Sequence, residues 1–182
     1  MPSELQLQSK RGIRLSLKII QAGPVLILFV LMLVLSILEP LFLTPRNLSN
    51  LAVQSSIVAI LALGVFLVIL TAGIDLSVGS VMALGTVTGA LTFVAMPAAG
   101  WLVAPVMVLT GAAVGLVNGL VFVKGRMPHP FIPTLAMLNA ARGMALLISD
   151  GRPIPGLPDY VRWLGAGRIG AIPVPALLVA LL

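Results

Sequence analysis

The 182-residue sequence has no cysteine, a single histidine, five acidic residues, one tyrosine and two tryptophans. Each shortage removes a class of protein. Without cysteine there is no disulfide framework, no thiolate metal site and no thiol nucleophile. The one histidine, His129, cannot build a metal cluster with acids scattered at Glu4, Glu39, Asp75, Asp150 and Asp159. Charge is the scarcest commodity, at 9% of residues, where a soluble domain carries about a quarter to keep its surface wetted. A water-soluble domain is excluded.

Enzymatic motifs are equally absent. No Ser/His/Asp arrangement, carboxylate pair or metal-ligand spacing occurs, and Lys124-Gly125-Arg126 lacks the glycine spacing of a phosphate-binding loop. The expectation is therefore no catalytic residue, no metal and no cofactor. The net charge of +6 does not point to nucleic acid, because the eleven Lys and Arg lie mostly between apolar blocks, where membrane topology accounts for them. No internal repeat or low-complexity tract interrupts the pattern.

What the sequence does have is apolar length. Hydrophobic residues make up 59% of the chain and mean hydropathy is +1.16. A helix crossing a bilayer needs about 20 mostly apolar residues, and inside the bilayer every backbone N–H and C=O must be paired within the segment. Barrel strands would alternate polar and apolar positions, whereas these blocks are apolar on all sides. The expected fold is an all-α, polytopic membrane helical bundle.

A basic stretch, residues 1–18, carries Lys10, Arg11, Arg14 and Lys18 and precedes a first block from Ile19 to Leu38. Glu39-Pro40 follows, not a small-residue cleavage site, which favours an uncleaved span over a signal peptide. A link, Thr44 to Asn50, leads to a second block, Leu51 to Ala72. Gly73-Ile74-Asp75 breaks it before a third, Leu76 to Met96. Pro97 to Gly100 reads as a tight turn. The fourth block runs from Trp101 to Val123, and the fifth from Phe131 to Ile148. Residues 149–171 read as a loop, and a sixth run begins at Ile172 and reaches Leu182, too short to cross. The expectation is about five full spans plus a truncated sixth, on a chain ending inside a helix.

Orientation follows from the basic residues. With the N-terminus inside, the inner segments hold Lys10, Arg11, Arg14, Lys18, Lys124 and Arg126, and the outer loops hold Arg46, Arg152, Arg162 and Arg168. The tail beside the first span decides for a cytoplasmic N-terminus.

Gly111, Gly115 and Gly119 recur every fourth residue, as do Gly85 and Gly89, so each set shares one helix face. Helices associate in lipid by close approach over small residues, and both faces are expected to be helix contacts. Asp75 allows two readings. It can cap the following helix at the membrane surface, accepting from orphan N–H groups, or it can mark a break within the membrane, where an ionisable residue signals a pathway. Arg142, well inside the fifth block, is expected to snorkel to the headgroups or pair locally. His129 is expected to be a loop residue, and Asn118 and Asn139 to form interhelical hydrogen bonds.

The stretch Ile69-Leu-Thr-Ala-Gly-Ile-Asp-Leu-Ser-Val-Gly-Ser80 resembles the signature of the ribose-type permeases, membrane subunits of bacterial ATP-binding-cassette importers for monosaccharides. Phe42-Leu-Thr-Pro-Arg-Asn-Leu-Ser-Asn50, Gly111-Ala-Ala-Val-Gly-Leu-Val-Asn-Gly119, His129-Pro-Phe-Ile-Pro-Thr-Leu135 and Ala141-Arg-Gly143 resemble further stretches of that family, in the same order. The resemblance implies a permease domain over residues 19–182, incomplete at its C-terminus, behind the cytoplasmic basic tail of residues 1–18. It also implies a bacterial inner-membrane location, a second permease chain, separate ATPase subunits and a periplasmic sugar-binding protein landing near residues 44–50 and 150–171. Asp75, Ser77 and Asn118 become pathway candidates, with Gly73, Gly79, Gly111, Gly115, Gly119 and Arg142 as structural signature. Family members continue beyond this length with further spans and a coupling segment, so the chain as given is expected not to transport. Other readings are a permease for branched-chain amino acids or a signalling molecule, an inactive remnant, or a fragment of an ion-coupled secondary carrier.

Overall fold

A computed structural model of the chain describes residues 22–71 and 73–182. The basic stretch of residues 1–18, the start of the first block at Ile19 and the end of the second at Ala72 lie outside the described residues. The chain divides into two compact units, residues 1–50 and 51–182.

In the first unit, α1 is described over Ala22–Leu38, an apolar helix of 17 residues. Its last turn hands the chain to a tight connection in which the Leu41 N–H donates to Glu39 Oε1 at 3.3 Å. The next helix, α2 (Pro45–Leu70), starts six residues ahead of the Leu51 expected from hydrophobicity. The cause is polar and local. Thr44 Oγ1 accepts from the Asn47 N–H at 3.3 Å, as an N-cap hydroxyl does for an orphan donor, and Pro45 occupies the first helical position, where its missing N–H costs nothing. Asn47 Nδ2 donates to the Phe42 carbonyl at 2.7 Å, tying the turn to the helix.

The second unit holds the remainder of α2, then α3 (Val78–Ala95), a 3₁₀ turn (Pro97–Leu102), α4 (Val103–Lys124), α5 (Phe131–Ser149), α6 (Asp159–Ala166), strands β1 (Arg168–Ile169) and β2 (Ile172–Pro173), and α7 (Val174–Leu181). Four helical stretches, Pro45–Leu70, Val78–Ala95, Pro97–Lys124 and Phe131–Ser149, are long and apolar enough to cross a membrane. At eight residues α7 is not.

The core forms where α3 packs between α4 and α5. Leu84 of α3 meets Ala141 and Ala145 of α5, with Val81, Val87, Val114 and Met137 around them. The outside is the more apolar surface: Val108, Leu109, Leu116 and Leu147 stand well exposed. Small residues inside and large apolar residues outside suit a lipid solvent, which gives helices no hydrophobic reason to associate and leaves close packing to hold them. The chain is a multi-pass membrane protein of helical-bundle architecture.

The segment 149–171 is not the plain loop expected of it. Asp150, at φ 54°, and Gly151, at φ 64°, close α5 in the left-handed conformation common at helix ends. Past Pro158 the chain winds into the two turns of α6. Gly170, at φ 62°, then turns β1 back on β2, pairing Ile169 with Ile172. Ile172 and Pro173, expected to open the sixth apolar run, thus belong to a strand, and α7 begins at Val174. An eight-residue helix among glycines and prolines carries too few periodic positions to stand out in sequence.

Tyr160 of α6 supplies what the start of α4 lacks. No side chain near Leu102 caps α4, yet Tyr160 Oη accepts from the Ala104 N–H at 3.2 Å and lies 3.1 Å from the Gly100 carbonyl, to which it donates. Replacing Tyr160 by Phe is expected to lower stability by about 1 kcal/mol, the worth of one net hydrogen bond. Thermal unfolding of the purified chain in detergent measures it.

Candidate functional site

Chemistry can gather only where polar groups converge, and in the second unit they converge on the junction between α2 and α3. Helix α2 ends at Leu70, and Gly73 N–H donates back to the Val68 carbonyl at 3.2 Å. A Cβ at Gly73 would meet Val68 Cγ1 at 3.1 Å and Pro130 Cγ at 3.4 Å, so no larger residue fits the bend without displacing a neighbour. Residues 73–77 then run without helical structure to α3.

Asp75 orders that run. Its Oδ1 accepts from the Ser77 N–H at 2.7 Å and from Ser77 Oγ at 2.6 Å. Ser77, 1% exposed, also accepts from Asn118 Nδ2 of α4 at 3.1 Å. One face of the junction is therefore fixed by the line Asp75–Ser77–Asn118. The other is gripped by α5, where the Thr134 hydroxyl lies 3.2 Å from the Ile74 carbonyl. Ser77 and Asn118 are buried, and Asp75 is half-buried.

Depth follows from helix rise. Asn118 lies six residues before the end of α4 at Lys124, about 9 Å at 1.5 Å per residue. Thr134 lies three residues into α5, about 5 Å from its start. The junction therefore sits one to two turns inside the bundle end marked by Lys124 and Arg126. Asp75 organises the chain just ahead of α3 through its two bonds to Ser77.

Two cavities open beside it. One of about 410 Å³ is lined by Asp75, Ser77, Gly85, Gly111, Gly115 and Asn118. The other, about 260 Å³, is lined by Asp75, Gly115, Asn118, Gly119, Phe122 and Thr134. Asp75 and Asn118 belong to both. The larger falls within the range of about 300–1,000 Å³ in which mostly apolar walls with a few placed polar groups suit small ligands, and the smaller falls below it. The polar groups present can accept and donate hydrogen bonds. Among the described residues no group of three His, Asp or Glu gathers that could hold a metal ion.

The two glycine faces behave differently. Gly85 and Gly89 are buried against α4: a Cβ at Gly85 would meet the Met107 carbonyl oxygen at 3.3 Å, and one at Gly89 would meet Met107 Cγ at 2.6 Å. Gly111, Gly115 and Gly119 were expected to be a helix contact and are not one here, because no described atom lies within 4 Å of a Cβ built on any of them. Their bare backbone forms cavity wall, Gly111 and Gly115 in the larger cavity and Gly115 and Gly119 in the smaller. Gly79 likewise meets nothing. Asn139 bonds within its own helix, to Leu135 O at 3.0 Å, correcting the interhelical expectation. Arg142 is exposed on α5, away from the junction, and forms no ion pair among the described residues. His129 accepts from the Phe131 N–H at 3.2 Å, capping α5. Thr134 was missed by sequence reasoning. A threonine one turn into an apolar helix commonly bonds its own backbone, and this one also does, at Pro130.

The second unit thus sets a polar chain break and two adjoining cavities within a bundle of apolar helices. The chain belongs to the family described as branched-chain amino acid transport system / permease component, whose model matches residues 47–163. It is 41% identical to the ribose import permease protein RbsC of Bacillus subtilis (strain 168) over 169 residues, 87% of this chain and 49% of that protein. It is 41% identical to RbsC of Escherichia coli (strain K12) over 160 residues, 85% of this chain and 49% of the relative. To the D-allose transport system permease protein AlsC of Escherichia coli (strain K12) it is 40% identical over 167 residues, 88% of this chain and 50% of the relative. The resemblance to ribose-type permeases is thereby shown, and the chain spans about half the length of the curated relatives it matches. No solved structure matches it.

Proposed function

We propose that this chain forms part of the translocation pathway of an ATP-binding-cassette importer for a monosaccharide. The observation that carries the reading is the agreement of the relatives: over most of this chain they are permeases named for ribose and allose, and others for galactofuranose and L-arabinose. The family's own description names branched-chain amino acids, but the relatives above are named for sugars. In this reading ATP is hydrolysed by separate subunits on the cytoplasmic face, a second permease chain completes the pathway, and a periplasmic sugar-binding protein delivers solute. The N-terminus lies in the cytoplasm, as the basic residues favour, and the membrane is the bacterial inner membrane. The permease domain begins at residue 19, behind the basic tail.

Asp75, Ser77 and Asn118 line the solute path in this proposal, with Gly111, Gly115 and Gly119 leaving it room and Gly73, Gly79 and Arg142 as structural signature. Their chemistry suits hydroxyl groups, which both donate to a carboxylate and accept from an amide. The test is labelled-solute uptake in a bacterial strain that lacks its own ribose permease but retains the ATPase and binding protein, supplied with a ribose permease in which this chain replaces the half that it matches. Restored ribose or allose uptake, abolished by ATP depletion, is the expected outcome. Restored leucine uptake in a matching amino-acid strain would replace the sugar reading, and uptake surviving ATP depletion would favour a gradient-driven carrier.

A further inference from the structure

Both tryptophans and the single tyrosine of the chain sit at one end of the second unit. Trp101 lies in the 3₁₀ turn that leads into α4. The Tyr160 hydroxyl bonds the Ala104 N–H and the Gly100 carbonyl at the same place. Trp163 is one turn further along α6. Lys124 and Arg126 mark the opposite end of α4, 22 residues away, or about 33 Å at 1.5 Å per residue. That separation matches a hydrocarbon core of about 30 Å, and tryptophan and tyrosine collect at membrane–water interfaces, where an amphipathic ring is apolar at one end and wet at the other.

We propose that α6 lies in the membrane–water interface at this level, held against lipid and not in free water. The spacing of Tyr160, Trp163 and Leu164 (i, i+3, i+4) puts them on one side of the helix, with Arg162 on the other and Asp159 at the flank. Trp163 is 49% and Leu164 40% exposed, so the chain leaves that face uncovered. The level of the helix selects lipid as the occupant: Tyr160 binds the start of α4 beside Trp101, and an aromatic level about 33 Å from a basic end is where a membrane–water interface lies. The helix is also pinned at both ends. Tyr160 ties its start to α4, and a Cβ at Gly167 would stand 2.6 Å from Trp163 Cδ1, so only glycine lets the chain close over the indole. Exposed Arg162 and Arg168 can extend their stems along the apolar surface and place their heads among anionic headgroups.

Two tryptophans make the test direct. The Trp101→Phe chain reports Trp163 alone, and the Trp163→Phe chain reports Trp101 alone. Each full-length chain is reconstituted in phosphatidylcholine–phosphatidylglycerol vesicles whose acyl chains are brominated either near the ester or near the methyl end, and emission is also titrated with aqueous iodide. Trp163 is expected to lose roughly half its emission to ester-proximal bromine, much less to methyl-end bromine, and little to iodide, as for an interfacial helix. Trp163 emission quenched by iodide and untouched by either lipid, while Trp101 is quenched by lipid, would overturn the proposal and hand this face to a protein partner. Failure of lipid to quench either tryptophan overturns it too, because the aromatic level would then lie outside the membrane.

Discussion

Gly85→Leu is expected to destabilise the bundle by about 3 kcal/mol, the upper part of the range for overpacking a filled interior, and removing Met107 will not rescue it. The reason lies in what each glycine of α3 faces. Gly85 faces backbone: its missing Cβ would already stand 3.3 Å from the Met107 carbonyl oxygen, and a leucine there can be admitted only by moving α4 away from α3. Gly89 faces the side chain of the same residue, with Met107 Cγ, Cε and Sδ all within 3.2 Å of the absent Cβ. A thioether chain with three rotatable bonds can give way, so Gly89→Ala is expected to cost only about 1 kcal/mol, near the low end of that range. In the Gly89→Ala/Met107→Ala double variant most of that cost should vanish, appearing as a coupling of about 1 kcal/mol in a double-mutant cycle. Thermal unfolding of each variant in detergent supplies the numbers. Equal rescue at both glycines would mean that the helices are not held at backbone distance. The Thr88–Thr110 hydroxyl pair at 3.0 Å, one turn along the same contact, argues that they are.

That α3 would lie against a neighbour over Gly85 and Gly89 was legible in the sequence, as were the helical spans and the break at Gly73. These are properties of runs and spacings, and a bilayer enforces them strongly. The role of Gly111, Gly115 and Gly119 was not legible. Four-residue spacing says that three glycines share a face, but the same bare backbone serves a neighbouring helix or a cavity, and only the placement of Met107 and Asn118 decides which. Asn118 and Asn139 were indistinguishable as polar residues within apolar runs. One meets a serine 41 positions away, and the other turns back on Leu135. The start of α2 and the whole of α6 were hidden for a different reason. The first is set by a single side chain, the Thr44 cap, and the second spans only eight residues, too few for a periodic pattern to stand out.

Asp75→Ala and Asp75→Asn are expected to separate widely, and the gap identifies what the carboxylate does for the junction. Its Oδ1 is the acceptor for two donors of Ser77, the N–H and the hydroxyl, at 2.7 and 2.6 Å. Ser77 is 1% exposed, so water cannot replace the acceptor once alanine removes it, and each stranded donor costs about 1–3 kcal/mol. Releasing a half-buried carboxylate from the apolar span offsets part of this, which leaves a net loss of about 2–4 kcal/mol for alanine. Asparagine keeps an oxygen in the same place, and its expected loss is about 1 kcal/mol, reflecting neutral in place of charge-assisted bonds. Asn118→Leu belongs with the milder group: it removes only the bond that Ser77 accepts and leaves the Ser77 hydroxyl still donating to Asp75. Thermal unfolding in detergent, read by circular dichroism, should therefore rank alanine at 75 far below the other two. If asparagine proved as damaging as alanine, the negative charge and not the hydrogen-bond geometry would be holding the junction. The same pair tests the proposed pathway, because a ribose permease carrying this chain as its matching half, with Asp75→Asn, that folds normally yet fails to restore sugar uptake would place the charge itself on the route of the solute.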